Sequence, residues 1–346
     1  MRRLLALAAL AAALVLPAAA QPVPADQPDR DVDDATRSQV IEGTLAALHR
    51  AYVFPEVAAQ MAASVHARRL AGEYANVSSA KDLAKTLTRH LQEVSRDKHL
   101  RVLYSAEPLP EMKQRGPSPE QVARRMEFLR SVNFGFEKAD VLPGNIGYLE
   151  MRVFATGSEA EAAADAAMSR LADADALIVD LRRNRGGDPA MVARVSSYLF
   201  ENPTHLNSLY WREGDRTEEF WTTKEVAGKR FGQGKPVFVL ISKRTFSGAE
   251  EFSYNLKALK RATLVGETTG GGAHPGGPQR IHDHFSVWVP SGRAINPVTK
   301  TNWEGTGVVP DVAVPADKAL ERALELAAKA ARRPPRGYRT SRTPPK

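Results

Sequence analysis

The sequence predicts an α/β fold in which a small helical domain precedes a sheet core covered by helices. Two observations carry this. Apolar residues recur at helical spacing from Val40 to Val94. Two apolar runs, Ala176-Leu177-Ile178-Val179-Asp180 and Pro236 to Ile241, are each followed by a turn and a new helical pattern, as expected of strands buried on both faces by helices.

From the start of the chain, Met1-Arg2-Arg3, an apolar stretch from Leu4 to Leu16 and Pro17-Ala18-Ala19-Ala20 have the form of a secretory signal peptide over residues 1–20. The apolar run is short for a bilayer and Pro17 breaks it, so no stable membrane span is expected after cleavage. Export to the periplasm or the extracellular space follows as an expectation, with a flexible leader over 21–36. Cysteine is absent, which excludes disulfides, thiolate catalysis and cysteine metal sites.

A helical domain is expected over 37–105. Val40, Ile41, Leu45, Leu48 and Tyr52 mark one helix, Val57, Met61 and Val65 a second, and Leu83, Leu87, Leu91 and Val94 a third. Pro55 suits a first helical turn, Gly72 a C-terminal stop, and Ser79 with Asp82 a cap. Leu100 to Tyr104 reads as a short strand. A proline-bearing connector over 106–133 carries one helix around Val122 to Leu129.

The α/β catalytic domain is placed at 134–331. Pro143-Gly144-Asn145 is the turn of a hairpin into Ile146 to Phe154, and Ser158-x-x-Glu161 caps a helix running to about Ala172. The crevice of such a sheet lies beyond the carboxyl ends of its strands, where the turns after Asp180 and Ile241 both fall. The tail, 332–346, holds four prolines and six basic residues without an acid and reads as disordered. With that tail and Arg2 and Arg3 set aside, 40 basic residues face 40 acidic ones. The formal charge of +8 therefore resides at the ends, and a nucleic-acid groove is not expected.

Ser247 stands where the strand ending at Ile241 hands over to a helix, a place that suits a nucleophile because helix-start N–H groups can stabilise an oxyanion. Ser247-x-x-Glu250 is equally a capping box. Gly186-Gly187 let backbone N–H groups approach a ligand, or form a tight turn with Asp188 as N-cap and Pro189 at the first helical position. Neither a nucleotide-binding glycine fingerprint nor a G-x-S-x-G elbow is present. Among eight histidines, His99 lies at a helix-to-strand junction outside any periodic face. His282-Asp283-His284 alternate as metal ligands on a strand would, yet no third ligand is spaced nearby; a solvated strand face is the expectation there, with no metal and no cofactor. Gly270-Gly271-Gly272 reads as a mobile rim loop.

Five segments come in a telling order: Asp97-Lys98-His99-Leu100-Arg101, Asp180 to Gly187, Thr245 to Phe252, Val265 to Gly271, and Glu304-Gly305-Thr306-Gly307-Val308-Val309-Pro310-Asp311. Together they resemble the tail-specific, or C-terminal processing, serine peptidase family, in the branch of interphotoreceptor retinoid-binding protein modules and the tricorn core peptidase. The resemblance covers roughly residues 37 to 320. It implies a crotonase/ClpP-like sheet core and a peptide or unfolded-protein substrate. It further implies Ser247 as nucleophile, His99 as general base and Glu304 orienting the base, with the oxyanion received by Gly248 and either Gly186 or Gly187.

Two departures stand out. The serine-lysine branch uses a lysine downstream of the nucleophile, and Thr268 to Ala273 contain none, which favours histidine. Lys98 fills the position where the tricorn-like arrangement has a small hydroxyl residue, so Glu304 is expected either to pair with Lys98 or to reach His99 directly. The interval from Tyr104 to Phe134 is too short for a PDZ domain, and oligomeric state is not legible. Activity is expected to rise as pH passes roughly 6 to 7, where a histidine base loses its proton. The competing readings are a non-catalytic binder of apolar ligands on the same fold and a crotonase-like acyl-thioester enzyme.

Overall fold

The computed structural model describes residues 27–110 and 119–331. The signal peptide, the first part of the leader, the stretch around Pro117 and the basic tail lie outside the described residues.

The N-terminal helices are α1 (Asp34–Ala51), α2 (Pro55–Leu70) and α3 (Ala80–Ser95), followed by β1 (Arg101–Tyr104) and α4 (Pro119–Ser131). Their ends obey local rules. Asp33 caps α1 by accepting from Thr36 N, Pro55 opens α2, and Ser79 caps α3 by accepting from Asp82 N. Arg96 ends α3 in the left-handed conformation at φ 58° and turns the chain toward His99.

The rest comprises β2 (Phe136–Leu142), β3 (Ile146–Met151), α5 (Ser158–Leu171), β4 (Ala176–Asp180), α6 (Pro189–Ser197), β5 (His205–Trp211), β6 (Arg216–Trp221), β7 (Val237–Ile241), α7 (Gly248–Ala258), β8 (Thr263–Gly266), β9 (Gly276–His282), β10 (Phe285–Pro290), β11 (Gly292–Ile295), β12 (Val312–Ala313) and α8 (Ala319–Ala331). Six strands form the main sheet in the order β12-β8-β7-β4-β3-β2, parallel except for the β2–β3 hairpin. Strand alternation sorts its side chains cleanly. Leu149, Leu177, Val179, Val237, Val239 and Ile241 pack under α5, α6 and α7, whereas Tyr148, Ile178, Phe238 and Leu240 pack under α8. One detail differs from expectation: Gly157, not Ser158, is the residue before α5, and it makes no side-chain cap.

Two antiparallel sheets flank this core, β11-β5-β6 and β1-β10-β9. The second joins the helical region to the peptidase region, because β1 pairs with β10 from Arg101↔Trp288 to Tyr104↔Phe285. Phe285, Val287 and Val289 accordingly share one apolar cluster with Val40, Leu48, Met61, Leu87 and Leu100. No helix of the described residues is long and apolar enough to cross a membrane.

Candidate active site

β4 and β7 are neighbours in the sheet, so the turns that leave their carboxyl ends lie side by side. Side chains stitch the turns together. Thr245 Oγ1 donates to Leu181 O at 2.8 Å and accepts from Ser242 N at 2.9 Å, while Ser242 Oγ donates to Arg182 O at 2.6 Å. Phe246 N completes the seam on Asn184 O at 3.2 Å. At its end Ser247 takes φ 53° and ψ −125°, a left-handed conformation that is costly for a residue bearing a Cβ. Such a sharp strand-to-helix turn lifts a serine hydroxyl away from the helix axis.

Glu250 holds that turn. Its buried carboxylate accepts from Ser247 N at 2.9 Å, Gly272 N at 2.9 Å, Gly271 N at 2.6 Å and Thr269 Oγ1 at 2.5 Å. The acid half of the capping box is thus present, and it also pins the glycine-rich segment. Gly271 and Gly272 are buried, which corrects the expectation of a mobile rim loop.

The glycine pair presses against the serine turn. A Cβ on Gly186 would lie 2.7 Å from Gly248 N and 2.8 Å from Ser247 Cβ, and one on Gly187 would lie 2.1 Å from Phe154 O, so neither position has room for a side chain. Their φ angles of 104° and 141° exclude one independently. Gly186 N–H is already donated to Asn184 Oδ1 at 2.8 Å. Among the described residues the N–H groups of Gly187 and Gly248 have no acceptor, and the two residues are in close contact, since a Cβ on Gly248 would lie 3.0 Å from both Gly187 N and Gly187 O. Two uncommitted amides beside a serine at a helix start form an anion-receiving arrangement.

His99 reaches the same place from the helical region. Asp97 Oδ1 accepts its backbone N–H at 3.0 Å, and its ring packs on Phe246, the residue before Ser247, with centroids 4.6 Å apart. Gly272 floors both rings: a Cβ there would lie 2.3 Å from Phe246 Cζ and 2.8 Å from His99 Cε1. The histidine is 7% exposed, and its Nδ1 is buried without a partner. Burial pushes its pKa down to about 4; the Asp97 charge opposes this, and Arg101 and His274 reinforce it. The imidazole is therefore neutral at pH 7, as a proton acceptor must be, and the rise expected between pH 6 and 7 does not belong to it. No hydrogen bond joins Ser247 Oγ to His99 among the described residues. Catalytic contacts in unliganded enzymes are commonly long and tighten with substrate.

Glu304 contacts neither expected partner. Its Oε2 accepts Ala273 N at 2.5 Å and lies 3.5 Å from His274 Nδ1, while Lys98 Nζ donates to Gly270 O at 2.5 Å. Burial, with the nearby Asp97 charge, raises the Glu304 pKa to about 7. Asp97, His274 and Glu304 bring three potential ligand atoms within 4.8 Å of one another, the one such group among the described residues. The 2.8 Å contact between His274 Nδ1 and Asp97 Oδ2 is that of a hydrogen-bonded pair. His282 ends β9, paired with Phe285, whereas Asp283 and His284 form the β9–β10 turn, with His284 Nδ1 against Ser105 O at 2.9 Å.

Sequence reasoning missed Asp97, His274 and Glu250 as site-forming groups. His274 had a faint signal, being the histidine that closes the glycine-rich run one residue past Ala273. Glu250 was visible only as a cap.

Residues 145–314 match the family model described as peptidase family S41, and residues 34–143 match the model of the N-terminal domain of peptidase S41 in eukaryotic IRBP. Among solved structures, a candidate peptidase from Parabacteroides merdae is 19% identical with a TM-score of 0.59, covering 84% of this chain and 96% of its own. The photosystem II D1 C-terminal processing protease is 17% identical with a TM-score of 0.50, covering 86% of this chain and 97% of its own. The tricorn protease is 14% identical with a TM-score of 0.51; the match covers 86% of this chain but 37% of tricorn. At these identities the structural likeness is one of fold.

Proposed function

The chain belongs to peptidase family S41, and from that premise we propose that it is an endopeptidase working through an acyl-enzyme, with Ser247 as nucleophile and His99 as general base. His99 takes the Ser247 proton as the hydroxyl attacks the scissile carbonyl, and returns it to the leaving amine when the acyl-enzyme forms; the same imidazole then activates water for deacylation. The oxyanion is received by the N–H groups of Gly248 and Gly187. Gly187 is preferred over Gly186 because the Gly186 amide already serves Asn184. Glu304 acts on this apparatus through His274 and Asp97 rather than by direct contact with His99.

The observation that carries the reading is the convergence, around Gly272 and Phe246, of a strained serine, two uncommitted backbone amides and a neutral buried histidine. A serine-reactive phosphonate followed by peptide mapping tests it. Covalent labelling at Ser247 in the wild type, abolished in Ser247→Ala, is the expected result; labelling of neither protein would favour a binder of apolar ligands. Polypeptide is the proposed substrate. Residues 1–20 support export as part of the same proposal, and N-terminal sequencing of the mature protein, beginning near Gln21, checks it.

A further inference from the structure

The cluster beside His99 contains a second imidazole, His274, that takes no proton in the proposed acyl-transfer steps. Asp97 is fully buried, and both its oxygens are engaged. Oδ1 holds the backbone N–H of His99 at 3.0 Å, and Oδ2 faces Tyr52 Oη at 3.2 Å and His274 Nδ1 at 2.8 Å. A carboxylate out of water needs such donors to remain charged. The same His274 nitrogen lies 3.5 Å from Glu304 Oε2, and the ring stands edge-on to Phe54 at 5.4 Å. One imidazole thus ties together the α1–α2 junction, the loop that carries His99 and the segment leading into β9. It also follows by two residues the glycine that floors the His99 ring.

We propose that His274 is a positioning residue for His99: its Nδ1–H, set between Asp97 and Glu304, fixes the carboxylate that grips the His99 amide and so aligns the base with Ser247. The inference rests on His99 being the general base. With His274 removed, Asp97 loses its strongest donor and is free to rotate toward Tyr52, taking the His99 backbone with it. Displacement of a catalytic group by about 1 Å costs on the order of a hundredfold in rate.

The test uses the full chain and three variants. His274→Asn places a donor where Nδ1 was, His274→Gln moves the donor outward, and His274→Leu removes it. On a fluorogenic peptide, kcat of His274→Leu is expected to fall about a hundredfold with KM within about twofold, and His274→Asn to recover at least about tenfold of the loss. If the leucine variant fails to fold, the asparagine and glutamine variants carry the comparison, with glutamine as the impaired one. Amide hydrogen exchange of the segment spanning residues 95–101 is measured on the same proteins. It should quicken in His274→Leu and return toward wild type in His274→Asn. Wild-type kcat in His274→Leu, or equal impairment of asparagine and glutamine variants at matched melting temperatures, would overturn the proposal. A wild type that neither cleaves nor labels would instead sink the Ser247 reading; unchanged exchange at 95–101 would then still refute the positioning role, and altered exchange would support it.

Discussion

Lowering the pH from 8 to 5 separates the two titrating groups of the site. His99, with its pKa near 4, stays about 90% neutral at pH 5, so its own titration removes little activity above that point. Glu304, with its pKa near 7, falls from about 90% ionised at pH 8 to about 1% at pH 5. Burial and the Asp97 charge bring its ionisation close to neutral pH. On the proposed mechanism the Glu304 charge favours the imidazolium formed when His99 accepts the serine proton, through the His274–Asp97 pair. kcat/KM is therefore expected to fall on the order of a hundredfold from pH 8 to pH 5, with a midpoint near 7, because this parameter reports groups of the free enzyme. Glu304→Gln should lower the plateau and flatten the profile between pH 5 and 8. The assay is hydrolysis of a fluorogenic peptide at constant ionic strength. A flat wild-type profile over that range would refute the role of ionised Glu304. Persistence of the midpoint near 7 in Glu304→Gln would show that Glu304 is not the group titrating there.

Gly187→Ala forces a Cβ to 2.1 Å from Phe154 O at a φ of 141°, so the loop must shift and carry the oxyanion amide with it. A loss of at least about a hundredfold in kcat is expected, together with a lowered melting temperature. Glu251 lies fully buried one turn into α7, its Oε1 without a partner, and burial lifts its pKa to about 8. The folded protein holds this proton more tightly than the unfolded chain does, so the group's contribution is present below about pH 4.5 and is lost as pH rises through about 8; the full swing is on the order of 5 kcal/mol. Glu251→Gln should therefore gain stability over wild type at pH 9 and not at pH 5 in urea melts. Equal differences at the two pH values would show that Glu251 is charged when folded.

What the sequence made legible follows from the range of each interaction. The three N-terminal helices, the β4 and β7 strands and the caps at Ser79, Asp188 and Glu250 depend on residues within one or two turns of each other, where periodicity and cap chemistry act. Ser247 and the glycine pair were locatable because strand-to-helix turns of a parallel sheet open on one edge. Asp97 and His274, by contrast, are separated by 177 positions and meet only because β1 docks on β10. The contact of Asp97 with the His99 amide is itself local, an Asx-type bond two residues on, but nothing in Asp97-Lys98-His99 shows that His274 meets the same carboxylate. Asp283 and His284 depart from the strand expectation for a similar reason: alternation of His282 and His284 looks the same in an extended strand and across a tight hairpin.

The pairing of β1 with β10 bears on how this molecule can be dismantled. A fragment starting after Tyr104 would strip the apolar surface from Phe285, Val287 and Val289, leave β10 with an open hydrogen-bonding edge, and lack His99, the proposed base, altogether. Such a piece should aggregate rather than survive as an inactive module. Insertions, tags or engineered breaks belong elsewhere, because the helical region shares its core and a sheet with the rest of the molecule and is not an appendage to it.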